Sequence, residues 1–406
     1  MKKAIKTYIA FQLLFNLLLW VPVFYEVQKQ LGLDDPQIFR IQSIYYLVFC
    51  FLEFPTGYLA DRFGYKASIF GGAVTLVIAN LIPIISGNYL GFLGHFCLIA
   101  LARSLISGAG SAWLYEFLKG YGEENLYRKV EGDARFYALV ARIVSWGAVG
   151  YLMTLGLLLP YWISAANALI AAVLAILLPR VNAEAIAETS RTASLVGGLS
   201  SAAAVVAKSP YLFLLMLQGV GIFILVRVLQ VNLYQPIMSD KAFATASFGI
   251  IMSVMTVFEA FGSKLAHRVR SLSNDLSTVT SSTLILSLML VGISLGNQTI
   301  VIVGLCIFSL AAGIAFPVQK QLLNDAIKYP GQRATILSME SLIDRALCAV
   351  VVLPLGGFIA DGKLRDVLIV CGLASAVLAI IVQYFLKQVK QAADPQKGSV
   401  LSDLKI

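Results

Sequence analysis

The stretch Phe49–Lys66, FCFLEFPTGYLADRFGYK, decides how the rest of the chain is read. Its first half is apolar, yet it carries a carboxylate, Glu53, and it closes on glycine, aspartate and arginine. A soluble protein could bury such a run in its core; a membrane protein could end a span with it. Composition separates the two. Of 406 residues, 59% are hydrophobic and only 13% charged, with a mean hydropathy of +0.82. Soluble domains run at about half apolar and about a quarter charged, so this balance is that of a membrane protein.

A bilayer core takes about 20 apolar residues per helix. The chain offers twelve such runs, near 7–27, 39–60, 67–86, 91–117, 134–157, 160–179, 209–234, 244–266, 276–295, 299–318, 334–355 and 365–386. They are continuous rather than alternating, which predicts helices and not barrel strands. The first follows Met-Lys-Lys but is too long for the apolar region of a signal peptide, and no A-x-A pattern follows Tyr25. It is read as a retained span. Cys50, Cys97, Cys306, Cys348 and Cys371 all fall inside apolar runs without metal or redox spacing. Neither a metal nor a cofactor is expected.

The net charge of +9 could suggest nucleic acid, but its distribution argues otherwise. With both termini in the cytoplasm, 22 of the 31 basic residues fall on that side, from Lys2 to Lys405. The opposite side holds five: Lys29, Arg40, Lys241, Lys363 and Arg365. That is the positive-inside pattern, and an even number of spans keeps the two termini together. The charge reports topology, with the lipid bilayer and no nucleic acid as partner. A monomer is expected.

The longest polar connection, 180–208, divides the runs six and six. It separates a first bundle at 1–179 from a second at 209–390, followed by a tail at 391–406. Landmarks recur across it: FLEFPTGYLADR (51–62) aligns with VFEAFGSKLAHR (257–268), placing Glu53 on Glu259 and Arg62 on Arg268. GYLADRFGYK (57–66), between the second and third runs, resembles the loop signature of the major facilitator superfamily, G-x-L-a-D-r-x-G-r-k. Gly57, Leu59, Ala60, Asp61, Arg62, Gly64 and Lys66 match, and Tyr65 replaces a basic residue. The resemblance implies an all-α membrane protein of twelve helices in two pseudo-symmetric six-helix bundles. It also implies that Gly57, Asp61, Arg62, Gly64 and Lys66 latch the cytoplasmic side shut. The segments 112–136 and 332–342 further resemble bacterial drug-efflux permeases, although the Gly-Pro motif of antiporters is missing from the fifth run.

Charges inside spans cost about 2.5–3.5 kcal/mol each on insertion scales, so each requires an explanation. Glu116 lies near a span end, within reach of solvent, and Arg142 sits in the fifth run. Arg103, central in the fourth run, shares a face with Ser107 and Ser111 and is a candidate for the substrate cavity. So are Arg227 and Gln230 in the seventh run, with Tyr234 on the same stripe, and Gln12 and Asn16 in the first, whose face continues to Trp20. Glu53 and Glu259 are either structural partners or proton carriers. Glu340 and Asp344 are four residues apart on one helical face; two carboxylates that close cannot both ionise cheaply in a low dielectric, which suits proton coupling. Arg345 could neutralise one of them instead. His95 is expected at the interface, and Trp20, Tyr25, Tyr45, Tyr46, Trp113 and Trp162 in the aromatic belts.

The sequence therefore predicts a transporter of the bacterial inner membrane, working by alternating access around a midplane site between the two halves. Proton-coupled efflux of a small organic molecule is the leading reading, on the strength of the resemblance. Movement of an organic anion or a siderophore-like metabolite is the alternative, motivated by the four intramembrane arginines. A membrane-embedded enzyme is disfavoured, since there are only two histidines and no nucleophile–base spacing.

Overall fold

The computed structural model describes residues 1–181, 203–272, 274–327 and 333–392, and the described residues form helices with no strand. Twelve long helices follow in chain order among the described residues. They are α1 (Lys2–Gln30), α2 (Asp35–Phe63), α3 (Tyr65–Ile85), α4 (Tyr89–Lys119), α5 (Tyr127–Gly147 with Val149–Leu155) and α6 (Leu159–Leu177). Then come α7 (Pro210–Asp240), α8 (Thr245–Leu272), α9 (Asp275–Leu295), α10 (Gln298–Ala326), α11 (Arg333–Ala360) and α12 (Leu364–Ala392). Ten are long and apolar enough to cross a membrane, and α5, bent by 47°, makes an eleventh. At 29 residues α2 has the length as well, its apolar run diluted by Gln42, Tyr45, Tyr46 and Glu53. Most of the connection at 180–208 and the tail beyond 392 lie outside the described residues.

In both sets of six the third helix pairs with the fourth and the sixth, and the first pairs with the sixth; the first helix's other neighbour is the fifth in one set and the fourth in the other. In the first, α3 lies against α4 and α6, and α1 against α5 and α6. In the second, α9 lies against α10 and α12, and α7 against α10 and α12. Small residues permit the closest approaches, as at Gly262 and Gly313, where α8 and α10 meet backbone to backbone. Apolar side chains such as Phe51, Ile85 and Val144 stand out from the surface, as lipid contact requires.

The first helix of each set is irregular, and a proline explains the position. In α1 the helical hydrogen bonding stops after Asn16 and resumes as a short 3-10 turn at Val21–Val23, around Pro22. In α7 it widens to a π-helix over Val228–Leu233, just before Pro236. A proline lacks the N–H that would bond one turn back and crowds the carbonyl there, so the preceding turn must rearrange. Backbone freed within a membrane needs partners. In α1 they are side chains: Leu19 N–H donates to Ser164 Oγ (2.9 Å), Trp146 Nε1 donates to Leu18 O (2.9 Å), and Asn167 Nδ2 donates to Leu17 O (3.2 Å).

The chain packs as two compact units, and neither is continuous in sequence. One gathers residues 1–192, 231–254 and 348–361; the other gathers 193–230, 255–347 and 362–406. Within the first unit, the helix ends remote from the chain termini are knit together. Gln235 Oε1 accepts from Tyr25 N–H (2.9 Å) and its Nε2 donates to Val21 O (3.1 Å). Tyr46 donates to Asn232 (3.1 Å), Ser43 to Ala349 O (2.8 Å), and Ser253 to Ile143 O (2.8 Å). Gly150 abuts the backbone of Ala246, and Gly249 abuts Trp146 O.

Several aromatic residues expected in the belts are core residues instead. Trp20, Tyr25, Tyr46 and Trp113 are buried because the polar tip of each finds a partner. Trp20 Nε1 donates to Asn80 Oδ1 (2.8 Å), and Trp113 Nε1 to Pro179 O (3.1 Å). Tyr25 donates to Asp35 (2.5 Å). Trp162 is exposed. His95, expected at the interface, is fully buried; its ring packs against Trp20, Phe96 and Tyr161, with Nδ1 2.6 Å from Ala79 O.

Candidate functional site

In the first unit a polar line runs along α1. Asn16 Nδ2 donates to Gln12 O (2.8 Å) and approaches Gln12 Oε1 (3.3 Å); Gln12 Nε2 donates to Tyr8 OH (2.9 Å); Tyr8 donates to Glu131 Oε2 of α5 (3.1 Å). Gly110 of α4 leaves room for the Gln12 amide, and Trp113 stacks on Tyr8 at 5.4 Å. Arg135 pairs with Glu131 at 3.2 Å. Gln12 and Asn16 are half-buried, as a cavity face requires, whereas Trp20 turns away into the aromatic cluster with Tyr161. Tyr8 and Glu131 escaped the sequence reading because Tyr8 looks like an ordinary apolar-run residue and Glu131 like part of a solvated loop.

Arg103 is half-buried on α4 and makes no hydrogen bond or ion pair among the described residues. Its neighbour Ser104 bonds Thr56 of α2 (2.8 Å), which fixes the backbone around it. Arg142 lies over the Trp146 ring at 5.4 Å, a cation–π contact that lowers the penalty of its burial.

In the second unit the sequence candidates fall into contact. Arg227 Nη2 lies 3.3 Å from Asp344 Oδ2, the carboxylate being 6% exposed and the arginine 38%. Gln230, in the π-helical turn, donates to Glu259 Oε2 (3.1 Å) and to Ser309 Oγ (3.4 Å). A π-turn shifts the register of everything that follows it, and such turns occur frequently at functional sites. Here it separates Arg227, facing α11, from Gln230, facing α8 and α10. Arg345 was the neutralising partner considered from spacing; Arg227, 117 residues from Asp344 in sequence, holds the carboxylate. Glu340 lies one turn from Asp344 and is buried against Gly219 of α7. Phe223 and Phe316 stack nearby on α7 and α10 at 4.8 Å.

The loop motif reads as follows. Gly64 ends α2 with φ +89° and ψ 148°, a backbone conformation that costs a residue with a Cβ about 1–3 kcal/mol. Lys66 Nζ donates to Ile176 O (2.7 Å), capping the last turn of α6 with a positive charge. Arg62 is exposed and lies over the Phe63 ring at 5.7 Å. A Cβ at Gly57 would meet nothing within 4 Å among the described residues, so no neighbouring helix packs tightly on it in this conformation. The Asp61 side chain lies outside the described residues. Glu53 is half-buried on α2.

A sequence profile of the Major Facilitator Superfamily matches residues 7–343. The chain belongs to the major facilitator superfamily. Solved structures agree on the fold. The nucleoside transporter NupG superimposes with a TM-score of 0.79 at 16% identity, covering 95% of this chain and 100% of that one. A POT family transporter in complex with a thioalcohol-conjugated peptide gives 0.73 at 14% identity, covering 95% of each chain. No curated protein sequence matches the chain. Membership of the major facilitator superfamily makes this a multi-pass membrane protein and places it among transporters rather than enzymes.

Proposed function

We propose that the protein is a secondary transporter that moves a small organic molecule by alternating access, driven by protons, with efflux as its direction. The observation that carries the reading is the π-helical turn of α7, which places Arg227 and Gln230 against three carboxylate-bearing or hydroxyl-bearing helices at mid-span. Discontinuous helices of this kind form substrate and coupling-ion sites in transporters. Gln12, Asn16, Arg103, Arg227 and Gln230 are assigned to substrate; Glu53, Glu259, Glu340 and Asp344 to the proton; Gly57, Asp61, Arg62, Gly64 and Lys66 to the latch. The six-plus-six division at 180–208 and a bacterial inner membrane with cytoplasmic termini complete the proposal, supported by the recurring helix pairings and the charge asymmetry.

A second reading, transport of an organic anion, is favoured by Arg103, which has no counter-ion among the described residues. Proteoliposomes decide between the readings. Labelled cationic, neutral and anionic compounds are followed in both directions, with and without a pH gradient. Gradient-driven accumulation of amphipathic cations supports efflux coupling, and accumulation of anions alone supports the second reading. Flux that ignores the gradient removes proton coupling.

A further inference from the structure

The irregular turns of α1 and α7 carry amides in the same chemical state. In the first unit, Asn16 is the last residue before the break in α1. Its Nδ2 donates to Gln12 O (2.8 Å) and to Gln12 Oε1 (3.3 Å), which uses both of its protons. A backbone carbonyl can only accept, so the first bond fixes which end of the amide is nitrogen. Asn16 Oδ1 is left with no partner among the described residues, and it is not sealed from water. In the second unit, Gln230 stands in the π-helical turn. Its Nε2 is likewise used twice, on Glu259 Oε2 (3.1 Å) and on Ser309 Oγ (3.4 Å). Its Oε1 has no partner among the described residues and is not sealed either.

The polarity of the α1 amide is set from a distance. Glu131, ion-paired with Arg135 at 3.2 Å, offers only acceptor oxygens, so Tyr8 must donate to it (3.1 Å). The Tyr8 oxygen then has only lone pairs to offer Gln12, which turns its Nε2 towards Tyr8 (2.9 Å) and its Oε1 towards Asn16. Every bond in the line points the same way, from Asn16 to the carboxylate, and bonds in such a chain strengthen one another. Glu259 does for Gln230 in one step what Glu131 does for Asn16 in three. In each unit a carboxylate stands behind the amide, consumes its donors and leaves its oxygen bare.

Both amides are half-buried, where an acceptor without a donor is costly and a ligand that supplies one recovers the loss. Resting on the assignment of Asn16 and Gln230 to substrate above, we propose that Asn16 Oδ1 and Gln230 Oε1 are acceptor subsites, and that the substrate presents N–H or O–H donors to them. Tyr8 and Glu131 are positioning residues: they touch no substrate and fix which end of the Gln12 amide meets Asn16.

Probes that share one aromatic body test this on the full-length protein in lipid nanodiscs, through the shift each causes in unfolding temperature. At neutral pH phenethylamine and 2-phenylethanol carry donors. N,N,N-trimethylphenethylammonium carries the charge without a donor, and 3-phenylpropionate carries acceptors alone. Phenethylamine should bind about tenfold more tightly than its trimethyl derivative. The alcohol, compared with the amine, shows whether O–H serves as well as N–H. Asn16→Leu and Gln230→Leu should each cut the affinity for phenethylamine about three- to tenfold and leave the trimethyl compound unchanged. Tyr8→Phe keeps every charge but breaks the line, and should narrow the preference for the amine severalfold. A purely structural tyrosine would lower the unfolding temperature and leave that ratio alone. Equal binding of phenethylamine and its trimethyl derivative by the wild type, which needs no variant to fold, overturns the inference. So does a preference that survives both leucine substitutions, or a protein that no probe shifts. Transport separates this from the broader reading. Proteoliposomes that still move labelled compounds leave the transporter standing when the donor preference fails, and proteoliposomes that move none remove the substrate assignment itself.

Discussion

Gly150 of α5 and Ala246 at the start of α8 meet backbone to backbone, with no space for a methyl group at position 150. Gly249 makes the reciprocal contact with Trp146 O, so the two helices are locked at two points within one unit. Gly150→Val must force them apart. Overpacking costs about 1–3 kcal/mol, which corresponds to a roughly 5- to 150-fold shift in any equilibrium that breaks this contact. The reporter is Ser253→Cys, buried at the same contact, in a protein stripped of its five native cysteines. Its labelling rate should rise by a comparable factor in Gly150→Val; an unchanged rate means that the contact does not open.

The Arg227–Asp344 pair should be asymmetric. Arg227→Gln leaves a nearly buried carboxylate without this partner, whereas Asp344→Asn leaves a guanidinium that already reaches water. Thermal unfolding in detergent should show Arg227→Gln as the more destabilised. The double variant should recover about 1–3 kcal/mol relative to the sum of the two changes. Additive losses would mean that the two groups do not interact.

Substrate charge can be read from a comparison of arginines. Asp344 neutralises Arg227, while Arg103 has no such partner among the described residues. If the substrate is an anion, Arg103→Gln should weaken its binding at least tenfold, and Arg227→Gln should weaken it less. Ligand-induced shifts in unfolding temperature across a panel of anions and cations provide the measurement. Cations that bind best and ignore both changes would remove the anion reading.

Two glycines of the loop motif should behave differently. Gly64 adopts φ +89° with extended ψ, so Gly64→Ala should lower stability by about 1–3 kcal/mol. Gly57 faces open space among the described residues, and Gly57→Leu should change stability by no more than about 0.5 kcal/mol. If the latch approaches through Gly57 in another state, the same substitution should nonetheless slow turnover severalfold. Unfolding temperature and transport rate, measured on both variants, distinguish the two effects. A Gly57→Leu protein with normal turnover would end the latch assignment.

The spans, their number and the repeat were legible because each depends on local composition: apolar runs of fixed length, and the match of Glu53 with Glu259. The paired groups were not. Arg227 meets Asp344 from 117 residues away, and Gln230 meets Ser309 from 79 residues away, which no spacing announces. The break in α1 was hidden by its own apolarity. Leu17, Leu18 and Leu19 read as the middle of a span, and their backbone is satisfied by Ser164, Trp146 and Asn167, which look unremarkable in sequence. Pro22 was the available signal. The belt expectation for Trp20 and Trp113 went astray because position along a helix says nothing of which face a ring takes.

A unit assembled from residues 1–192, 231–254 and 348–361 sets a timetable for biosynthesis. Chains emerge N-terminus first, at about 5–20 residues per second. The first six helices must therefore wait on the order of tens of seconds for the stretch that carries Ala349 and Gly356. Until then Ser43 lacks the carbonyl it bonds, and Asp35 lacks the glycine that seats against it. The nascent protein passes through a stage in which its early helices are inserted but one end is unsealed, and that stage is where insertase or chaperone assistance would act.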